Sequence, residues 1–273
     1  IGGSRSQALN SWFWRGMDEV ARGLKLHRRQ ILQTELVFLC AFVFMAGVRA
    51  LNPDLWQPIW GGEKPFEFVF LNALLRSPVL PPYSPFFSGG TINYYYYGFF
   101  LVSLPVKATG IAPAVAFNLI VPTLFALLLA GAYAIGARLA GSWKVGAAAA
   151  LLVGVVGNLA GAFGKSWLGR GGLAQAWEAL QAGPGGFGDR LGDWFMGASR
   201  VVPNTINEFP YFSYLFADLH PHMIALPITL LLIALAYELF LGQRAAAEGS
   251  PWPAAAGRWS LAAVTLGALA TTN

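Results

Sequence analysis

The 273 residues are 56% hydrophobic and 11% charged, with 18 Lys and Arg against 13 Asp and Glu and a mean hydropathy of +0.52. Soluble domains carry about a quarter charged residues, so the bilayer rather than water is the expected solvent, and the aromatic content of 14% excludes a disordered chain. The net charge of +5 is spread out, with no basic run longer than Arg28-Arg29, which excludes the clustered footprint of a nucleic-acid binder. The single cysteine, Cys40, cannot form an internal disulfide and reads as a packing residue.

Taken in chain order, residues 1–33 are expected to be a cytoplasmic segment, and 34–273 a transmembrane domain. A bilayer crossing needs about 20 apolar residues. The first predicted span covers about 31–51, and the 30 uncharged residues between Lys107 and Arg138 predict a second at about 113–138. A third is expected at 145–163, a fourth at 223–241, and a fifth from Trp259, where the apolar sequence runs to the end and suggests a fragment of a longer membrane protein. The expected fold is therefore an all-α polytopic membrane protein with about five spans. Residues 77–106 are also uncharged, but Pro78, Pro81, Pro82, Pro85 and Pro105 disfavour one continuous helix there. Tyr94–Lys107 is read instead as a helix in the outer interface. With that choice ten of the 18 basic residues fall in 1–33, 138–144 and 242–258, which places those segments inside. Two long outer loops, 52–112 and 164–222, then hold eight of the 13 acids on the other face, consistent with a plasma-membrane protein whose N-terminal segment is cytoplasmic.

The first outer loop presents Asp54, then Glu63-Lys64-Pro65-Phe66-Glu67, with Pro65 suited to the first turn of a short helix reaching about Arg76. Glu63 has two readings: a metal ligand or proton acceptor, or a solvated carboxylate paired with Lys64. For Glu67 the favoured reading is a charge complementing the helix dipole, and for Asp54 an ordinary loop acid. The run Asn93-Tyr94-Tyr95-Tyr96-Tyr97 reads either as an interfacial aromatic belt or as the wall of a sugar or isoprenoid site, with Asn93 as a polar contact.

The second outer loop ends with Glu208, then Asp218-Leu219-His220-Pro221-His222. If 218–222 is extended, Asp218, His220 and His222 share one side at a spacing that suits metal ligation. If Pro221 starts the fourth span, Asp218 and His220 stand at a helix N-terminus, which also favours a phosphate. Capping and interfacial hydrogen bonding are the plainer alternatives. The convergence of Glu208, Asp218, His220 and His222 on the face that carries Glu63 favours a site, with Lys64 and Arg200 as cations for a phosphate. Glu35 and Glu238, near span ends, read as structural pairs.

These residues carry a resemblance to the Chlor_Arch_YYY family of archaeal and bacterial membrane proteins, named for its tyrosine run. The matching pieces are Arg49-Ala50-Leu51-Asn52-Pro53-Asp54, Gly62-Glu63-Lys64-Pro65, Pro81-Pro82-Tyr83, Ile92-Asn93-Tyr94-Tyr95-Tyr96, Ile206-Asn207-Glu208-Phe209-Pro210 and Ala217-Asp218-Leu219-His220-Pro221-His222. Glu67 departs from the aspartate expected there. The layout resembles GT-C membrane glycosyltransferases, which implies a lipid-linked sugar donor such as a polyprenyl phosphate. It also implies a catalytic role for Glu63, Asp54 or Glu67, and a divalent cation (Mg or Mn) held by Asp218 and His220. Substrate contacts would then come from Lys64, Asn93, Tyr94, Tyr95, Tyr96, Arg200, Glu208 and His222. The rival expectation is a transporter or lipid-handling protein without transferase activity, and a non-catalytic scaffold would leave Glu63 and Asp218 far apart.

Overall fold

The computed structural model describes residues 20–56, 62–157, 197–246 and 252–272, together with Trp14, Met17, Asp18, Trp177, Glu178 and Gln181. Most of the glycine-rich stretch 169–192 of the second outer loop, the end of the expected span 145–163 and the start of the 1–33 segment lie outside the described residues.

Among the described residues eight helices follow one another: α1 Arg28–Leu51, α2 Lys64–Arg76, α3 Tyr96–Thr109, α4 Pro113–Ala140, α5 from Trp143 to a π-helical turn ending at Val156, α6 Pro210–Phe216, α7 Pro221–Ala246 and α8 Trp252–Thr272. The described residues form no strand beyond one isolated bridge between Tyr83 and Thr91. This is the all-α membrane architecture expected. Among the described residues three helices are long and apolar enough to cross a bilayer, in α1, α4 and α7, while Trp143–Val156 and Trp259–Thr272 are shorter apolar helices in the places of the third and fifth expected spans. Fourteen helical residues rise about 21 Å, short of a ~30 Å hydrocarbon core.

Local sequence explains the boundaries. Prolines open α2, α4, α6 and α7, where a missing N–H costs nothing, and Gly110 and Gly141 close α3 and α4 in the left-handed conformation. Helix α4 is the hub, packing against α1, α5 and α7 and burying Phe117, Val121 and Ala126 completely. The α4/α5 contact is close because both sides are small. A Cβ on Gly136 would lie 2.7 Å from that of Ala149, and one on Gly146 would lie 2.8 Å from the Tyr133 carbonyl. Helix α1, in contrast, leaves Leu36, Leu39, Val43 and Phe44 exposed, as expected of a lipid-facing surface.

Polar clamps pin the two ends of the bundle. At one end Arg49 donates from Nε and Nη2 to Asn118 Oδ1 (3.1 and 2.6 Å), and Asn118 Nδ2 donates to the Pro53 carbonyl. At the other, Tyr133 bonds Gln33 and Arg138 pairs with Glu238. The short helices α2, α3 and α6 gather at the Arg49 end, and Tyr214 OH of α6 donates to the Met223 carbonyl of α7 (3.0 Å), fixing the entry to that span.

Candidate functional site

The site forms where the start of α2 meets the start of α7. Glu63 precedes α2 and Glu67 lies one turn later, so the i, i+4 spacing sets both carboxylates on one face. That face meets the segment Ala217–His220, which leaves α6 through a left-handed turn at Ala217 (φ 61°) and runs into Pro221 at the head of α7. The second of the two readings for 218–222 is therefore the observed one: Pro221 is the first residue of the span, with Asp218 and His220 before it.

The two segments exchange carboxylates. Asp218 Oδ2 accepts the Glu63 backbone N–H (2.9 Å) and Oδ1 pairs with Lys64 Nζ (3.1 Å), so Asp218 satisfies an N-terminal amide of α2 and complements its dipole. In return, Glu67 Oε2 accepts the Leu219 backbone N–H. Lys64 also lies over the Phe216 ring, 4.7 Å from its centre. The clasp needs Gly62, whose φ is +60° and whose hydrogen leaves room for Asp218; a Cβ there would collide with Oδ2.

His220 sits inside this exchange. Its Nδ1 is 3.0 Å from Glu67 Oε1 and 3.8 Å from Asp218 Oδ2, and its Nε2 is 3.6 Å from Glu63 Oε2. Burial alone would lower the imidazole pKa, but contact with Glu67 and the charges of Glu67, Asp218 and Glu208 outweigh it and raise it to about 9. Glu67 moves the same way: burial raises its carboxyl above the usual range, against the opposing pull of His220. Beside this group, His222 Nε2 contacts Glu208 Oε2 (2.9 Å), and Ser213 Oγ donates to the same oxygen (2.8 Å). The His222 contact holds the Glu208 carboxyl below its ordinary value. The His220 and His222 rings are 5.4 Å apart.

A cavity of about 230 Å³ opens over these groups, lined by Glu63, Glu67, His220 and His222 and walled by Tyr94, Tyr95, Phe66, Phe70 and Phe99. A larger, mostly apolar groove of about 1080 Å³ runs along α1, α3, α4 and α7. It reaches from Ile224, one turn below Pro221, to Arg138 and Glu238.

The family model described as "Uncharacterized membrane protein (DUF2298)" matches residues 6–273. The chain belongs to this family. No curated protein and no solved structure matches it. For this membrane-protein family member, what the site can do rests on its own geometry.

The sequence candidates divide into three groups. Glu63, Glu67, Asp218 and His220 come together, with Glu208 and His222 adjoining, and Tyr94 and Tyr95 wall the cavity. Four others lie elsewhere in their contacts. Asp54 is exposed and accepts the Trp56 N–H, a local turn two residues on. Asn93 is exposed outside the cavity lining, and Tyr96 packs toward the core. Arg200 donates to the carbonyl and hydroxyl of its neighbour Ser199.

Two roles go beyond those expected. Glu67 lies in the first turn of α2, where its charge complements the helix dipole as expected, and it is also buried to 3% exposure, because the α2 face that carries it is covered by Leu219 and His220. Asp218 has both oxygens engaged by Lys64 and the Glu63 amide, so it does not pair with His220 as an open ligand set, and Lys64 is committed to it rather than to a phosphate. The donors that do stand together are Glu63, Glu67 and His220, all within 4.8 Å of one another. The adjacency of Glu63 and Asp218 also argues against the scaffold reading. Sequence reasoning missed Arg49, buried within the electrostatic reach of Asp218 and Asp54, and the buried Ser213. A charged residue near the end of an apolar span was the available signal for Arg49; nothing marked Ser213.

Proposed function

We propose that this membrane protein is a glycosyltransferase that takes a sugar from a polyprenyl-phosphate donor at the non-cytoplasmic face. The observation that carries the proposal is the single cavity in which an exposed carboxylate, Glu63, and an imidazole, His220, from two distant loop segments meet beneath Tyr94 and Tyr95. Aromatic faces with a few convergent polar groups suit a sugar ring. In the proposed reaction, Glu63 accepts the proton of an acceptor hydroxyl, whose oxygen bonds to the anomeric carbon as the bond from that carbon to the phosphate oxygen breaks. His220, beside Glu67, faces the departing phosphate, and the apolar groove starting one turn below suits an isoprenoid chain.

The test is a deletion strain analysed by mass spectrometry of its lipid-linked sugars and surface glycans. The expected result is accumulation of one lipid-linked sugar, reversed by the wild-type protein and not by Glu63→Gln. An unchanged profile under conditions of normal expression, or full rescue by Glu63→Gln, would sink the proposal. A second reading, a lipid-handling or transport protein without transferase activity, is favoured by the size and length of the apolar groove. It predicts an altered distribution of a lipid between leaflets with no change in glycan structure.

A further inference from the structure

We infer that Glu63, Glu67 and His220 bind a single divalent transition-metal ion. The inference shares its cavity with the proposed transfer reaction but rests on the donor atoms alone. These three residues offer one ligand atom each within 4.8 Å of one another, drawn from two rigid helix starts. Donors on one small cation, each bonded at about 2.0–2.2 Å, lie no more than ~4.4 Å apart. The remaining few tenths of an ångström are within the reach of Glu63, whose side chain is 63% exposed while those of its two partners are held by packing.

A second observation points to a ligand independently of the cluster. Glu67 is buried to 3% exposure and lines the cavity, and among the described residues its Oε1 meets only the His220 ring, whose Nδ1 is 3.0 Å away. A buried carboxylate oxygen whose one neighbour is an imidazole is costly to keep ionised, and a cation shared by both groups relieves that cost. Charge balance agrees. Lys64 is paired with Asp218, so the carboxylates of Glu63 and Glu67 face the cavity beside the imidazole, and a divalent ion taking the place of the imidazole proton would be compensated by both.

The donor set also selects the ion. One imidazole and two carboxylates favour Mn, Fe or Zn over Mg or Ca, which prefer oxygen alone. When bound, such an ion would supply positive charge for an anionic leaving group. Glu63, Glu67 and His220 would act as ligands, while Asp218 and Lys64 would hold the two helix starts that present them.

The test uses the purified full chain in detergent micelles or nanodiscs and Mn²⁺ alone, followed by electron paramagnetic resonance, with Zn²⁺ as competitor. The expected result is one saturable Mn²⁺ per chain, displaced by Zn²⁺, with affinity reduced at least about tenfold in Glu63→Gln and in His220→Gln and unchanged in Glu238→Gln at the far end. Glu63 is exposed, so Glu63→Gln keeps the metal-free melting curve and decides the matter even if His220→Gln does not fold. Absence of saturable binding in the millimolar range, or binding that Glu63→Gln leaves unaltered, overturns the inference. Since no sugar donor is present, that failure leaves the proposed transfer standing, and a failure to find transfer leaves the metal measurement intact.

Discussion

The bundle carries two ion pairs of nearly equal length in opposite settings. Lys64–Asp218 spans 3.1 Å at the site end with side-chain exposures of 6% and 4%; Arg138–Glu238 spans 3.0 Å at the far end with exposures of 54% and 46%. Their sequence origins differ as much as their burial. Arg138 and Glu238 close off two spans, where charges mark the edge of the apolar slab. Lys64 and Asp218 belong to two loop segments more than 150 residues apart, and each also meets backbone or aromatic groups of the clasp. Distance alone therefore says little about what a pair does. An exposed pair gains little over two hydrated ions. A buried one constrains everything that must remain in place to keep both charges compensated.

This comparison can be broken at its buried side first. Lys64→Met strands Asp218 in a dry setting and is expected to cost about 3–5 kcal/mol, read from denaturation midpoints in micelles. Adding Asp218→Asn should restore part of that loss, since the uncompensated charge is then gone. A fully additive double mutant would show that the pair is not coupled. Arg49→Met removes two charged donors from Asn118 and is expected to cost about 1.5–3 kcal/mol. Its effect should be largely additive with Lys64→Met if the two cations act through separate partners.

Gly62→Ala sharpens the comparison without touching a charge. It places a Cβ against Asp218 and forces a left-handed residue, so a loss of about 1–3 kcal/mol is expected, together with weaker coupling between Lys64 and Asp218 in a double-mutant cycle. At the exposed end, Arg138→Gln should shift stability by about 0–1 kcal/mol and leave Mn²⁺ binding unchanged. A loss comparable to that of Lys64→Met would mean that the far end is enclosed in the membrane-embedded protein.

Much of the fold was legible because local physics settles it. Apolar length located α1, α4 and α7, and proline at the head of a helix located α2 and α7: the helix expected from Pro65 to Arg76 runs Lys64–Arg76, and Pro221 opens α7. The tyrosine run was expected to start an interfacial helix near Tyr94, and α3 starts at Tyr96 after a left-handed Tyr95. Site membership was partly legible too, since Glu63, Asp218 and His220 are polar residues at the mouths of apolar helices. Their individual roles were not. Glu67 looks the same in sequence whether it faces water or Leu219, and the periodicity of a short helix names a face without naming what covers it.

By itself, the sequence determined the solvent, the helical class and the two loop segments that carry the acids and histidines, because burial in lipid, proline geometry and charge cost act within a few residues of one another. Only the tertiary structure decided that Asp218 belongs to Lys64, that Glu67 turns inward to His220, and that Arg49 lies buried nearby. Those outcomes depend on which charges are brought within a few ångströms while water is excluded. That is a property of the packed α2 and α7 starts, and neither segment carries it alone.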